Sequence, residues 1–261
     1  MPAEVSSISL SQLLASIDEP VWREATLVAE FPGGPVSRSW QLDTASGPVV
    51  LRLDTALVKT LGLDRQAELV VLESVASVGI GPEVLWADTE RGLLVRRLLP
   101  GRIWDEADLS DSDNLLRLGA LLRRLHSIPV VHESPDLRTS VAMYVDAIGT
   151  EKARSIGLQA EKLLAEISID SSGRVFCHRD VHCGNIIDHG ELRLIDWEYA
   201  GSGDPCFELA VVAEQHQLDE SQLGGILDGY AGAAYSIEIS RLNQFRRLYA
   251  YIAELWSMVA H

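Results

Sequence analysis

Three cysteines among 261 residues, Cys177, Cys183 and Cys206, are too few and too odd in number for a disulfide framework, which fits a reducing compartment. Long apolar runs are missing as well. The stretch from Leu69 to Val78 is broken by Glu73, and no segment approaches the roughly 18 residues that a spanning helix needs, so no membrane is expected. Met1 to Glu30 contains no basic segment followed by an apolar core, which argues against a secretory leader and for a cytoplasmic site of action. Positive charge is scarce: 38 Asp plus Glu against 22 Lys plus Arg give a formal charge of -16, and such a surface repels nucleic acid and anionic lipid. There is no internal repeat and no low-complexity tract. What is present is ordinary globular composition, 47% apolar and 23% charged, in a chain long enough to bury a substantial core. The acidity is compatible with a cationic small substrate, and equally with a solvated surface.

The N-terminal part reads as strands around one helix. A turn-rich stretch, Phe31, Pro32, Gly33, Gly34 and Pro35, returns through Ser39, Trp40, Gln41 and Leu42 in the manner of a hairpin. Val49, Leu51 and Leu53 then alternate with Val50, Arg52 and Asp54, so a strand here displays Arg52 on the face opposite the three apolar side chains. Asp64 to Ala76 carries helical spacing through Leu69, Leu72 and Val75, with Glu68 one turn before Leu72, and Gly79, Gly81 and Pro82 stop it. A further strand, Leu93 to Leu99, runs into a connector at Pro100 and Gly101, which places a division between residues 1–99 and 100–261. Beyond it the pattern turns helical. Leu115, Leu118, Leu122 and Leu125 recur at threes and fours after Ser110 to Asp113 and before Pro129, and Leu242, Phe245, Leu248, Ile252 and Leu255 form a second stripe of core residues. The class is therefore α+β, with a small β-rich N-terminal lobe and a larger, mainly helical C-terminal lobe.

The segment from Arg174 to Gly201 carries the chemistry. It contains His178, Arg179 and Asp180, then four residues, then Asn185, the order found in the catalytic loop of kinases. Phosphoryl transfer needs a carboxylate beside the attacking hydroxyl and oxygen ligands for magnesium, and an Asp and an Asn on one short loop supply both. Ile186 and Ile187 lead into a turn at Asp188, His189 and Gly190, and Leu192, Leu194 and Ile195 return from it, so a hairpin brings Asp196 back beside Asn185. Asp180 is then the catalytic carboxylate, and Asn185 and Asp196 are the metal ligands. His178 and Arg179 are expected to support the loop rather than to touch substrate.

These motifs, with Gly203, Asp204, Pro205, Phe207, Glu208 and Leu209, resemble the aminoglycoside phosphotransferase and choline kinase superfamily over nearly the whole chain, and among its branches most closely bacterial thiamine kinases and small choline kinases. The resemblance implies a bilobal, protein-kinase-like fold that binds ATP and Mg2+ in the cleft. Gly33, Gly34 and Ser37 would lie near the phosphates, and Arg97, Leu98 and Leu99 along the adenine. Arg52 would take the strand position usually held by lysine, paired with Glu68, a substitution that keeps a cation but changes its geometry. Ser37 stands where many relatives have asparagine, and Cys183 where many have proline. The implied partner is a small-molecule alcohol, thiamine first and choline second, acted on by a monomer or homodimer.

Trp197, Glu198 and Asp204, together with Tyr199 and Glu208, offer rings and carboxylates suited to a cationic substrate. Asp204, just ahead of Pro205, also suits a helix cap, and Trp197 also suits the core. Other acceptors stay open, namely an aminoglycoside or a sugar, as does a catalytically silent kinase-like protein that only binds a ligand. A metal-dependent hydrolase built on Cys177, His178, His182 and Cys183 is the remaining alternative, although adjacent Cys-His pairs on a strand point in opposing directions and no further ligand pair accompanies them.

Overall fold

The computed structural model describes residues 9–17, 22, 24–133, 135–167, 173–232 and 237–260. It begins with helix α1 (Leu10–Ala15), where Ser9 and Gln12 form a capping box. Strands β1 (Thr26–Glu30), β2 (Ser37–Thr44) and β3 (Gly47–Asp54) follow, then helices α2 (Leu57–Thr60) and α3 (Arg65–Ser77), then strands β4 (Val84–Asp88) and β5 (Leu93–Arg97). The strands form one five-stranded antiparallel sheet in the order β1-β2-β3-β5-β4.

Alternation along these strands divides the side chains between two faces. Trp40, Leu42, Val49, Leu51, Leu53, Leu93 and Val95 cluster with Leu13, Leu14, Ile17 and Trp22 on one side. On the other, the register sets Arg52 across from Ser39 and Leu94, and Val50 across from Gln41 and Arg96. Helix α3 covers part of this second face. Asp64 caps it by accepting from the Gln66 and Ala67 N–H groups, and Gly79, in the left-handed region at φ 72°, follows its end.

Strand β6 (Arg102–Ile103) leads into the helical portion: α4 (Ser112–His126), α5 (Leu137–Ile148), α6 (Glu151–Glu166), β7 (Val175–Cys177), β8 (Ile186–His189), β9 (Glu191–Leu194), β10 (Gly201–Gly203), α7 (Pro205–Gln215), α8 (Glu220–Tyr230) and α9 (Ile239–Ala260). The two expected stripes are buried, Leu115, Leu118, Leu122 and Leu125 on α4 and Leu242, Phe245, Leu248, Ile252 and Leu255 on α9. Two small sheets, β6-β8-β9 and β7-β10, carry the loop that begins at His178. The larger core includes Leu72, Val75 and Ile80 from the N-terminal portion with Leu122, Phe176, Leu194, Trp197 and Leu248 from the helical one. At the connector, Gly101 has φ 130° and lies so close to the Asp188 carbonyl that no side chain fits, so the chain leaving the sheet rests directly on β8.

Helices α4 and α8 cross at two glycines. A Cβ on Gly119 would overlap the Ile226 carbonyl oxygen, and one on Gly229 would overlap the Leu116 carbonyl oxygen, whereas Gly224 on the same α8 faces open space. Overpacking such a contact costs about 1–3 kcal/mol, while replacing an unconstrained helical glycine gains ~0.5–1 kcal/mol. Gly119→Ala and Gly229→Ala are therefore expected to melt at lower temperature than the wild type and Gly224→Ala at equal or higher temperature. Thermal denaturation checks this, and identical melting of all three variants would mean that the helices are not held in contact.

Candidate active site

The loop after β7 is held from beneath by one side chain. Glu208, on the first turn of α7 and completely buried, accepts from two successive backbone N–H groups, that of His178 at 2.5 Å and that of Arg179 at 2.8 Å. Two successive donors can converge in this way because Arg179 is in the left-handed region at φ 68°, a conformation that costs a non-glycine residue about 1–2 kcal/mol. Burial alone would raise the Glu208 pKa, but a hydrogen bond and charge from His126 and the His178 N–H hold it below the ordinary carboxylate value. The His178 ring is fixed at both nitrogens. Its Nδ1 accepts from the Asp180 N–H at 3.2 Å, so Nε2 carries the proton and donates to the Ile195 carbonyl at 2.9 Å. Burial lowers the His178 pKa and keeps the ring neutral, and the ring lies 4.6 Å from that of Trp197, which stacks in turn on Phe176.

Asp180, Asn185 and Asp196 converge above this support. Asn185 Nδ2 donates to the Asp180 carbonyl at 2.9 Å and to Asp180 Oδ2 at 3.2 Å, and its own carbonyl accepts from the Ile195 N–H at 3.0 Å as the β8–β9 hairpin returns. Asp196 is a second left-handed residue, at φ 67°, which turns it out of the returning strand into the cleft. Among the described residues, nothing donates a hydrogen bond to Asp196 or to Asn185 Oδ1. Two uncommitted oxygen donors beside each other suit a hard cation such as Mg2+ rather than a soft metal. Burial and the Asp196 charge push the Asp180 carboxyl up to about 7, against the opposing Asn185 hydrogen bond. That value is suited to exchanging a proton near neutrality.

The sheet supplies the opposite wall through a buried charge network. Arg52 meets Glu68 in a two-pronged pair with both distances 2.6 Å. Arg65 donates to Asp54 and, at 2.9 Å in each case, to Glu68 and Glu198. Burial opposes the Arg52 charge, yet Glu68 and Asp54 hold its pKa above the ordinary value. Burial likewise pushes Glu68 up, and Arg52 and Arg65 override it and hold the carboxylate ionised. Glu198 ends on the other side of that balance: burial and Asp196 raise it to about 8 despite Arg65.

Between the two walls lies a cleft of about 1530 Å³ lined by Gly33, Gly34, Ser37, Arg52, Glu68, Leu98, Leu99, Asp180, Asn185, Asp196, Trp197 and Glu198. Two expected site residues lie elsewhere. The Arg97 side chain points away from the cleft to Glu83, at 2.9 Å, and the cleft face of β5 is occupied by Arg96, because strand alternation sends neighbours to opposite sides. Asp204 does not line the cleft: it caps α7 through the Cys206 N–H and forms an ion pair with Arg241. Trp197 touches the cleft but is 1% exposed, its Nε1 donating to the Leu194 carbonyl, so its role is mostly packing. The four residues of the hydrolase alternative do not converge. Cys177 lies with His126 and Glu208, and Cys183 with Glu106 and His216.

The remaining cleft wall was hidden in the helical stripes. Tyr144, Tyr249 and Trp256 line it with Tyr199, and the Trp256 Nε1 donates to the Tyr199 hydroxyl at 2.9 Å. Helical spacing alone marks such rings as core, and only the tertiary fold shows that they face a cavity.

Replacing Glu208 tests the support of the loop. Gln offers one acceptor oxygen to two buried donors, so Glu208→Gln is expected to lose ~1–3 kcal/mol of stability. Because the folded-state pKa is depressed, the carboxylate's contribution is complete above its unfolded value of 4.5 and is lost as pH falls below it. Urea unfolding should show a gap between wild type and variant that is widest near neutrality and narrows in acid; a gap independent of pH would contradict the assignment.

Comparison with known proteins is consistent with this geometry. A model of the phosphotransferase enzyme family matches residues 28–242. The thiamine kinase of Salmonella typhimurium is 36% identical over 128 residues, 48% of this chain and 44% of that protein, so the match spans less than half of the curated relative. Among solved structures, a choline kinase from Streptococcus pneumoniae has a TM-score of 0.76 at 21% identity, covering 89% of this chain and 85% of its own. An AMP complex of that kinase reaches 0.78 at 20% identity, covering 96% and 88%. An aminoglycoside-3'-phosphotransferase has a TM-score of 0.63 at 19% identity, covering 87% and 93%. At these identities the structural likeness establishes a protein-kinase-like α+β fold.

Proposed function

The chain belongs to the phosphotransferase enzyme family, and we propose that it transfers the γ-phosphoryl group of ATP to the hydroxyl of a small cationic alcohol, with thiamine the first candidate and choline the second. The observation that carries this reading is the convergence of Asp180, Asn185 and Asp196 in a cleft that is also lined by aromatic rings. The hydroxyl oxygen attacks the γ-phosphorus, the bond to the β–γ bridging oxygen breaks, ADP leaves, and Asp180 takes the hydroxyl proton. Asp180 is hydrogen-bonded on Oδ2 by Asn185, and Oδ1 has no partner among the described residues, which suits it to orient the acceptor. Asn185 and Asp196 would hold magnesium, which neutralises phosphate charge when bound. Gly33, Gly34 and Ser37 line the phosphate side of the cleft in this reading, Leu98 and Leu99 the adenine side, and Arg52 steadies the phosphates.

The acceptor class rests on the wall formed by Tyr144, Tyr199, Tyr249 and Trp256 beside the acidic Asp180 and Glu198. Rings attract an organic cation through their negative faces, and a bound cation favours the ionised forms of Asp180 and Glu198, which burial raises to about 7 and about 8. The names of the curated and structural relatives, thiamine kinase and choline kinase, point the same way. A polyamine-bearing aminoglycoside would call for several carboxylates where this wall presents rings. The coexistence of Asp180, Asn185 and Asp196 in one arrangement argues against a silent ligand-binding protein. In this reading residues 1–99 chiefly hold the nucleotide and 100–261 the catalytic loop and acceptor, in a cytoplasmic monomer or homodimer. Among the described residues no helix is long and apolar enough to cross a membrane.

Purified protein incubated with ATP, magnesium and thiamine, choline, ethanolamine, aminoglycosides or simple sugars should phosphorylate a cationic alcohol, detected by mass spectrometry. Asp180→Ala should lower kcat by on the order of 10²- to 10⁴-fold while ATP affinity is retained, and equal loss of both would show that the carboxylate serves binding instead. Trp256→Ala should raise KM for the cationic acceptor ~10-fold with little change in KM for ATP. A product formed only from sugars would overturn the acceptor class.

A further inference from the structure

The cleft contains a cation that the mechanism above does not use. Arg96 lies on the cleft face of β5, directly across from Val50 on β3 and one alternation along the strand from Leu94, the partner of Arg52. The other guanidinium groups near the site are already engaged. Arg52 is held by Glu68 through both terminal nitrogens, Arg65 by Asp54, Glu68 and Glu198, and Arg179 donates to the Pro135 and Ser202 carbonyls. No lysine lines the cleft among the described residues. Arg96, by contrast, has no hydrogen-bond or ion-pair partner among the described residues, although it is half buried.

An unpaired guanidinium in a partly desolvated site is costly unless something answers it. Burial and the Arg52 charge lower the Arg96 pKa to about 10, while Asp196 and Glu68 pull the other way, so it remains a cation at neutral pH and lies within range of both Arg52 and Asp196. Arg96, Arg52 and Asp196 line the same cleft. Asp196, which no side chain among the described residues pairs, lines the same space with Asp180 and would repel a polyphosphate.

We infer that Arg96 is a phosphate-binding residue for the nucleotide, donating charge-assisted hydrogen bonds to the polyphosphate from the β5 face of the cleft, in the role that Arg52 is too fully committed to Glu68 to fill alone. The inference rests on the reading of the cleft as a nucleotide site. A planar, forked donor suits phosphate oxygens, and a pair of this kind is stronger than a neutral hydrogen bond.

Isothermal titration calorimetry of the full chain with MgATP and with adenosine tests it, using Arg96→Met, which keeps length and removes charge, and Arg96→Lys, which keeps charge without the fork. Arg96→Met should weaken MgATP on the order of 10- to 100-fold and leave adenosine affinity unchanged, with Arg96→Lys between it and the wild type. Because no ion pair within the protein is lost, the melting temperature of Arg96→Met should equal or exceed that of the wild type. MgATP bound by Arg96→Met as tightly as by the wild type would overturn the inference. So would equal losses for adenosine and MgATP, which would put the guanidinium on the base, or a fall in melting temperature shared by both variants, which would assign it to packing. A wild type that binds adenosine and MgATP with equal affinity would also refute the phosphate contact, whereas a wild type that binds neither would refute the kinase reading itself and the inference with it.

Discussion

The arrangement of the site depends on a buried charge network of Asp54, Arg65, Glu68, Arg52 and Glu198. It ties strand β3 and the nearby helix α3 to the segment after Asp196, which lies 133 residues beyond Arg65 in the chain. Buried ion pairs seldom add net stability over well-packed apolar residues, but removing one partner leaves an uncompensated charge at a cost of about 3–5 kcal/mol. The network therefore acts through selectivity of arrangement: a displaced helix or a shifted strand strands a charge. Arg65 contributes most to this, because its fork reaches the sheet, its own helix and the segment after Asp196 at once.

The catalytic loop follows a different principle. Its conformation is set by saturation of hydrogen bonds rather than by charge balance. Glu208 fills two backbone donors, His178 is used at both ring nitrogens, and Asn185 spends its amide protons on Asp180. What is left over is a small set of oxygen atoms facing the cleft, on Asp180, Asn185 and Asp196. Two left-handed residues, Arg179 and Asp196, are the conformational cost of that exposure.

Much of this was legible in the sequence because the decisive convergence is local. Asp180, Asn185 and Asp196 are brought together by one loop and one hairpin, and hairpins leave clear traces in turn residues and alternation. The β3 strand was equally readable, since Val49, Leu51 and Leu53 alternate with more polar neighbours. The parity of β5 was not, because Leu93, Leu94 and Val95 are all apolar and all buried, and a strand covered on both faces gives no sign of which side Arg96 or Arg97 takes. Asp204 was left with two roles open for a related reason: its partner Arg241 lies on a helix far along the chain, and an aspartate before a proline suits a cap as well as a ligand. The aromatic wall escaped because Tyr144, Tyr249 and Trp256 sit in helices where rings ordinarily mean packing.

The shared core has a consequence for how such a protein can be altered. Leu72, Val75 and Ile80 share one core with Leu122, Phe176, Leu194 and Trp197 of the helical half, and Gly101 seats the connector against the β8 backbone. The sheet and its helix are thus not a detachable module. A chimaera that joined residues 1–99 to another helical half would have to match the whole buried boundary in shape, so under the proposed function new acceptor specificities are more readily reached by changing the rings of α5 and α9 than by exchanging the halves.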